Sequence, residues 1–212
     1  MNKLVIVGCG GFAKEVEWLV DRINAVKPTW ELLGFIDNDL SMERVVGNDD
    51  FVVNYKGELY VAIAIGTSAI RKRIYSKYKK NVNIHFTNLV DPSVIFSDRV
   101  QFGEGNIICA GSVLTVDIFV GNCNIINLDC TVGHDVILGD FVTVNPSANI
   151  SGNTNIGSGC NIGTGAQIIQ GLIIGKNTVV GAGAVVSKDL PENCTAVGVP
   201  AKIIKIDEAN DN

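Results

Sequence analysis

Apolar residues recur every six positions through the second half of the chain. Stepping by six from Val90 to Val186 meets seventeen consecutive apolar side chains without one break in register. Because about half of the residues of a typical protein are apolar, chance would give such a run about once in 10⁵ trials. Four residues after most of these positions stands a small or β-branched side chain: Val94, Val100, Ser112, Cys130, Val136, Val142, Ala148, Thr154, Cys160, Ala166, Thr178 and Ala184.

This period predicts a left-handed parallel β-helix, in which each coil has three flat sides of six residues and neighbouring coils pair through their backbones. Seventeen hexads make nearly six coils, and the unbroken register predicts no long loop among them. Gly, Asn and Asp are expected where the chain turns. Ordinary antiparallel strands would instead show spacings of about 8–12 residues with hairpin signals. Glycine directly follows eight of the apolar positions: Gly103, Gly121, Gly133, Gly139, Gly157, Gly163, Gly175 and Gly181.

The first part of the chain alternates strand-like and helix-like segments. Short apolar runs are typical of buried strands, and apolar spacings of three and four residues are typical of helices. The segments are a strand at residues 4–7, a helix at 12–26, strands at 32–36 and 59–65, and a basic amphipathic helix at 70–80. This order predicts a small Rossmann-like α/β domain with a parallel sheet covered by helices.

The change of pattern predicts two domains. We expect the α/β domain at residues 1–85 and the β-helix domain with a C-terminal tail at residues 86–212. Residues 81–90 are predicted to join the two domains. Pro191 is predicted to end the three-sided β-helix, which we call the prism. The tail, residues 196–206, is expected to pack back onto the prism or to reach a neighbouring subunit.

Composition narrows the range of partners. A net charge of −5 and a pI near 5.0 leave no basic stripe for a nucleic acid backbone. No apolar stretch approaches the ~20 residues that span a bilayer, and the opening apolar run is too short for a signal peptide. We therefore expect a cytoplasmic protein that binds no nucleic acid, does not insert into membranes, and acts on a small ligand or a protein partner.

Cysteine and histidine usage argues against a metal site. The six cysteines are scattered without a C-x-x-C pair, which predicts reduced thiols. The chain has only two histidines, His85 and His134, and neither stands in a cluster with ligand spacing. The sequence therefore predicts no bound metal.

Glycines after the first strand match the G-x-G-x-x-G/A pattern of phosphate-binding turns. Gly8, Gly10 and Ala13 supply it, and small residues there allow backbone amides to approach a phosphate at a helix N-terminus. The domain has room for one mononucleotide half, so a single nucleotide is expected rather than NAD. The simpler alternative is that these glycines only form a tight turn.

Polar residues at the ends of the other two predicted strands would complete this crevice. Asp37 or Asp39 would accept hydrogen bonds from a ribose or a base, and Gly66 with Thr67 would close the other side.

His134 is the only histidine within the repeat, at a column otherwise filled by small or polar residues. Imidazole suits proton removal from an amine or hydroxyl near pH 7, and a neighbouring carboxylate would fix its tautomer. Asp135 is the first candidate for that carboxylate and Asp129 the second. The alternative is a surface histidine at a turn.

Four segments together with the hexads resemble the sialic-acid O-acetyltransferase family, which includes bacterial UDP-4-amino-sugar N-acetyltransferases. They are GCGGFAK from Gly8, AIG from Ala64, NLDCTVGHD from Asn127 and GVPAK from Gly198. The resemblance covers nearly the whole chain.

The resemblance implies an acetyl-CoA-dependent acetyltransferase acting on a nucleotide-linked amino sugar. His134 would be the general base, Asp135 would support it, and Asn127 would lie beside them. The acyl group would pass directly to the sugar amine, with a backbone amide of the adjacent subunit stabilising the oxyanion.

The resemblance also implies where the two substrates bind. The nucleotide of a UDP-sugar would lie in the N-terminal domain, and acetyl-CoA in a groove between neighbouring β-helices of a homotrimer. The candidates for the sugar nucleotide are Gly8, Gly10, Gly11, Asp37, Asn38, Gly66 and Thr67, and those for acetyl-CoA are Thr143, Gly163, Gly181, Lys188 and Lys202.

Two departures from the family pattern leave the sugar open. Some relatives carry a second histidine near the position of Thr143, and some carry a glutamate where Asp135 stands. O-acetylation of a sugar hydroxyl, as in sialic acid, would use the same base and donor. A β-helix carbonic anhydrase is excluded because it needs three zinc-bound histidines and this β-helix contains only His134. A non-catalytic β-helix scaffold would bind no CoA.

Overall fold

The computed structural model describes residues 1–207, and residues 2–86 form a five-stranded parallel sheet with helices packed against it. The residues that α1 buries, Ala13, Val16, Leu19 and Val20, share one face at helical spacing. In chain order the elements are β1 (Asn2–Val7), α1 (Gly11–Val26), β2 (Trp30–Ile36), β3 (Val45–Gly47), α2 (Asp49–Val53), β4 (Leu59–Ile63), α3 (Ser68–Tyr78) and β5 (Ile84–Phe86).

The order of strands in this sheet is β3-β2-β1-β4-β5, and every pair is parallel. The chain therefore reverses its direction of winding between β1 and β4. In open α/β sheets, ligands bind in the crevice outside the carboxyl ends of the strands at such a switch point. The predicted Rossmann-like architecture is confirmed.

Three short elements were not predicted: β3, α2 and β5. They contain three, five and three residues, too few for a periodic pattern to show. The expectation that residues 81–90 are only a join was wrong, because β5 lies within them and adds the edge strand beside β4. The residue ladder of the prism begins at Leu89.

Residues 89–186 form seventeen two-residue strands at intervals of six residues, which confirms the β-helix and the absence of long loops. They are β6 to β22: Leu89–Val90, Ile95–Phe96, Gln101–Phe102, Ile107–Ile108, Val113–Leu114, Phe119–Val120, Ile125–Ile126, Thr131–Val132, Ile137–Leu138, Thr143–Val144, Asn149–Ile150, Asn155–Ile156, Asn161–Ile162, Gln167–Ile168, Ile173–Ile174, Val179–Val180 and Val185–Val186.

Three parallel sheets make the faces of the prism. The first sheet contains β6 and every third strand after it, the second contains β7 and its successors, and the third contains β8 and its successors. Three edges join these faces. We call the edge between the first and second sheets, which holds Asn127, the first edge. The edge between the second and third sheets holds His134 and is the second edge, and the edge that holds Phe141 is the third.

The predicted inward columns form the core of the prism. From Ile108 onward, every hexad position exposes at most 1% of its surface, and the small residues of the other column pack against them. Phe96 is 46% exposed, because the first coil has a neighbouring coil on one side only.

Turns at the edges place every sixth residue in the left-handed backbone conformation. Gly, Asn or Asp fills most of these positions, as expected. The eight glycines that follow the apolar positions stand elsewhere and have another cause. A Cβ at Gly133 or Gly157 would lie 2.6 Å from a backbone nitrogen of the next coil, so close stacking of the coils excludes a side chain there.

Two bulky residues also take the left-handed conformation, Cys123 (φ 51°) and Phe141 (φ 59°). Both lie on the third edge and are buried in a cluster with residues of the α/β domain. On the other side of the interface, the guanidinium of Arg22 donates to both oxygens of the buried Asp91 at 2.5 and 2.9 Å. The α/β domain therefore covers the first sheet from edge to edge.

The prism continues past Pro191, contrary to the prediction that it ends there. β23 (Cys194–Val197) pairs in parallel with Val179–Val180 of the first sheet and buries Ala196 in the core. β24 (Lys202–Ile206) returns antiparallel to β23, so the tail packs back as expected. Ile174 pairs with Leu190, so this coil is two residues shorter than the others. The six-residue spacing is therefore broken just before β23, and the repeat did not predict this strand.

Candidate active site

The carboxyl ends of β1 and β4 border a crevice of about 290 Å³. We call it the switch-point crevice. Its lining includes residues just after β1 and β2, the first residue of α2 and one face of α3: Gly8, Asp37, Asn38, Asp49, Arg73 and Lys77. Gly10 and Thr67 are the N-cap residues of α1 and α3. The crevice therefore has a glycine turn and two cations in its lining and helix N-termini close by in the chain, groups that bind phosphates, together with the carboxylates of Asp37 and Asp49.

A second pocket of about 200 Å³ lies between α1 and the first sheet of the prism. We call it the Asn127 pocket. It is lined by Phe12, Glu15, Gly66, Ile125, Asn127, Thr143 and Asn145. Ile65 lines the switch-point crevice while its neighbour Gly66 lines the Asn127 pocket. The loop after β4 therefore separates the two cavities.

Arg71 holds that loop on the prism. Its side chain is buried, and its three nitrogens donate five hydrogen bonds, none of them to a carboxylate. Burial lowers the pKa of Arg71 to about 10, so the group remains charged at neutral pH. The acceptors are the carbonyl oxygens of Ile65 and Gly66 in the loop, those of Cys123 and Phe141 on the third edge, and the hydroxyl of Thr143.

His134 and Asp135 form a hydrogen-bonded pair on the second edge. Nδ1 of His134 lies 2.8 Å from Oδ2 of Asp135, and the two side chains are 52% and 58% exposed. A carboxylate at Nδ1 favours the tautomer with the proton on Nδ1 and leaves Nε2 free to accept one. Asp129, the other candidate partner, lies on the first edge. The geometry thus pairs His134 with Asp135.

The predicted site residues of the prism fall on two edges. Asn127, Gly163 and Gly181 follow one another along the first edge at multiples of 18 residues. His134 and Lys188 lie on the second edge, three coils apart, which is about 14 Å at the usual strand spacing. The second sheet separates these two rows within one chain.

Two family models match the two parts of the chain. The PglD N-terminal domain matches residues 3–78, and the bacterial transferase hexapeptide repeat matches residues 153–188.

Relatives named as acetyltransferases match 70% or more of the chain. The GDP-perosamine N-acetyltransferase of Escherichia coli is 30% identical over 157 residues, which cover 70% of this chain and 69% of the relative. PerB from Caulobacter crescentus, solved in complex with CoA and GDP-perosamine, is 33% identical with a TM-score of 0.87, covering 97% of this chain and 98% of its own. The chain belongs to this family of left-handed β-helix acetyltransferases. The acetyltransferase domain of PglB from Neisseria gonorrhoeae, solved with acetyl coenzyme A, is 29% identical with a TM-score of 0.87 and covers 96% and 100% of the two chains.

For an acetyltransferase of this family, the structure places most of the predicted sugar-nucleotide residues at or beside two cavities. Gly8, Asp37 and Asn38 line the switch-point crevice, with Gly10, Gly11 and Thr67 at the adjoining helix N-termini. Gly66, Asn127 and Thr143 line the Asn127 pocket. The hydroxyl of Thr143 donates to the carbonyl of Gly66 at 3.0 Å and accepts from Arg71, so it is bound within the protein. Lys202 is exposed on β24.

Several lining residues were missed from sequence. Arg73 and Lys77 reach the switch-point crevice from α3, and Lys77 donates to Asp49 at 2.7 Å. Glu15 and Asn145 line the Asn127 pocket. The basic helix directly after Gly66 was the available signal for the first two, because cations beside a phosphate-binding turn point to phosphate.

Four of the buried cysteines offer no ready nucleophile. Burial raises the pKa of Cys109 and Cys123 to about 12 and that of Cys130 and Cys160 to about 11, which keeps these thiols protonated. Over the described part of the chain, no group of three His, Cys, Asp or Glu side chains is placed to ligate a metal ion. Within residues 1–207, no helix has the length and apolarity to cross a bilayer.

Proposed function

We propose that the protein transfers the acetyl group of acetyl-CoA to the amine of a nucleotide-linked amino sugar, with His134 as general base. The observation that carries the proposal is the presence, in one chain, of a crevice that joins a glycine turn to Arg73 and Lys77 and of an exposed imidazole whose Nδ1 is held by a carboxylate. The similarity to acetyltransferases solved with CoA and with a GDP-linked amino sugar supports the same reaction.

The chemistry is direct acyl transfer. The amine nitrogen attacks the thioester carbonyl, and Nε2 of His134 accepts a proton from that nitrogen as the C–N bond forms. The tetrahedral intermediate then breaks its C–S bond, and the proton passes to the CoA thiolate. Asp135 holds the imidazole in the tautomer that accepts at Nε2 and stabilises the imidazolium. Protonated, buried cysteines support a route without a covalent acyl-enzyme.

The sugar nucleotide spans the switch-point crevice and the Asn127 pocket. Its diphosphate lies at the helix N-termini of the switch-point crevice, beside Arg73 and Lys77, and Asp37 or Asn38 binds the ribose or base. The sugar passes the Gly66 loop into the Asn127 pocket.

The acyl donor lies along the two edges that carry the remaining candidates. Gly163 and Gly181 lie on the first edge, along which the pantetheine arm would run, although the next coil fills the space that a side chain there would take. Lys188, three coils from His134, and Lys202 on β24 are the cations closest to its phosphates. Lysine suits this role as a flexible point charge.

We expect a homotrimer, in which the first edge of one chain meets the second edge of the next. Within one chain, the Asn127 pocket and His134 stand on different edges. A contact between two different edges is head-to-tail, and it closes into a ring of three when successive chains are rotated by a third of a turn. Phe119 and Ile137 are exposed on the third sheet beside the second edge, as an interface would require. Light scattering should give the molar mass of three chains, and that of one chain would contradict the proposal.

Thiol release from acetyl-CoA tests the reaction. The assay should compare GDP- and UDP-linked amino sugars, the matching sugars in which a hydroxyl replaces the amine, and free sialic acid. We expect turnover with at least one amino sugar and none with its hydroxyl counterpart. Turnover with hydroxyl acceptors alone would identify an O-acetyltransferase. Absence of both turnover and CoA binding would favour a scaffold.

A further inference from the structure

The imidazole of His134 lies directly over the α-carbon of Gly152, which occupies the same edge position one coil further along. A Cβ built on Gly152 would lie 2.5 Å from Nε2, 2.6 Å from Cε1 and 2.8 Å from Cδ2 of His134. The ring therefore occupies the space that a side chain at residue 152 would fill.

The backbone does not require glycine at this position. The φ angle of Gly152 lies outside the left-handed region, unlike that of its neighbour Asn153 (φ 54°). The equivalent position of each hexad, from Pro92 to Lys188, occurs seventeen times in the sequence, and Gly152 is the only glycine among them. Alanine occupies two of these positions, Ala110 and Ala182, so the turn accepts a Cβ elsewhere.

We propose that Gly152 is a positioning residue for His134, whose missing side chain provides the flat surface on which the imidazole lies. This inference rests on the proposed function of His134. Asp135 holds Nδ1 from one side, and contact with Gly152 fixes the plane of the ring, so the two together determine where Nε2 points. Asp135 alone would leave the ring free to rotate about its hydrogen bond.

A methyl group at residue 152 should move the ring and leave the fold intact. The side chain of His134 is half exposed and stands at the end of a flexible arm, so the ring can rotate away from an added methyl. The backbone amide and carbonyl are unchanged by Gly152→Ala, including the acceptor for the amide of Gly171. Displacement of the ring from Gly152 should therefore lower the catalytic rate and leave the stability of the fold unchanged.

Steady-state kinetics of Gly152→Ala provides the test. We expect kcat to fall roughly 10–100-fold, as for other small misplacements of a catalytic group, while KM for acetyl-CoA and for the amino sugar stay within about twofold. The thermal midpoint should be no lower than that of the wild type, because alanine reduces the freedom of the unfolded chain. The double variant with His134→Ala should be no slower than His134→Ala alone.

A spectroscopic readout follows the ring itself. Because the chain has two histidines, the imidazole resonances of His85 serve as an internal reference for those of His134. Gly152→Ala should shift the His134 resonances and leave those of His85 unchanged.

The outcomes separate this inference from the proposed function. If kcat of Gly152→Ala stays within twofold of the wild type while His134→Ala is inactive, the positioning role of Gly152 is refuted. The role of His134 as general base then still stands. Full activity of His134→Ala would refute the role of His134 as general base. A raised KM for acetyl-CoA at unchanged kcat would assign Gly152 to donor binding, and a lowered thermal midpoint would assign it to the fold; either result overturns the positioning role.

Discussion

Replacement of His134 by alanine is expected to lower kcat by about 10²–10⁴-fold, the usual contribution of a general base. His134 supplies the only imidazole of the β-helix among residues 89–207, so no other histidine there can take its place. The loss should appear in kcat, with KM for acetyl-CoA changed little, because the proton is removed only as the C–N bond forms. Rates of thiol release at saturating substrates measure the effect.

His85→Ala is the matched control, since it removes the other histidine of the chain. His85 lies on β5 and pairs with Glu58 on the surface of the α/β domain. A surface pair of this kind contributes at most about 1 kcal/mol to stability. His85→Ala should therefore keep wild-type rates, and a similar loss in both variants would contradict a specific role for His134.

Substitutions of the neighbouring carboxylates grade the same prediction. Because both members of the His134–Asp135 pair are more than half exposed, water screens their interaction to about 1 kcal/mol, so Asp135→Asn should slow the reaction about fivefold. Asp129→Asn changes the equivalent residue of the first edge, which also has a left-handed backbone, and should have no such effect. Equal losses of rate in Asp135→Asn and Asp129→Asn would contradict the assignment of Asp135 as the partner of His134.

Arg71→Met is expected to destabilise the protein by about 3–5 kcal/mol, the range for removing one partner of a buried polar network. Arg71 is 1% exposed, and methionine of similar volume would leave the carbonyls of Cys123 and Phe141 buried without donors. Both residues hold left-handed backbone conformations that cost energy and that these hydrogen bonds help to fix. Urea unfolding monitored by circular dichroism measures the change.

Arg71→Lys and Lys72→Met make this result interpretable. Lysine keeps the charge but cannot reach acceptors on both the loop and the third edge from one ammonium group. Arg71→Lys should therefore destabilise the protein less than Arg71→Met and more than Lys72→Met. Lys72 is exposed on the same helix, and its replacement should change stability by less than about 0.5 kcal/mol. A loss below 1 kcal/mol for Arg71→Met would show that the other interface contacts, among them the Arg22–Asp91 pair, hold the domains together without Arg71.

The hexad register and the first turn of the α/β domain were predictable because both are local patterns. Each inward column of the prism repeats at a fixed spacing, so the identity of the buried residues follows from the sequence alone. Elements of three to five residues, such as β3 and β5, have no periodicity to detect. β23 was missed because the spacing departs from the repeat just before it.

The sequence by itself determined the two folds and the columns that face inward, and it predicted His134 with Asp135 as the catalytic pair. The tertiary structure decided which residues meet: Gly152 lies under His134, and Arg71 contacts Thr143 across 72 residues. It also divided the candidate residues of the prism between two edges. The physical reason is that a residue's place along a coil is fixed by local geometry, whereas contacts between coils and between domains depend on how distant segments stack.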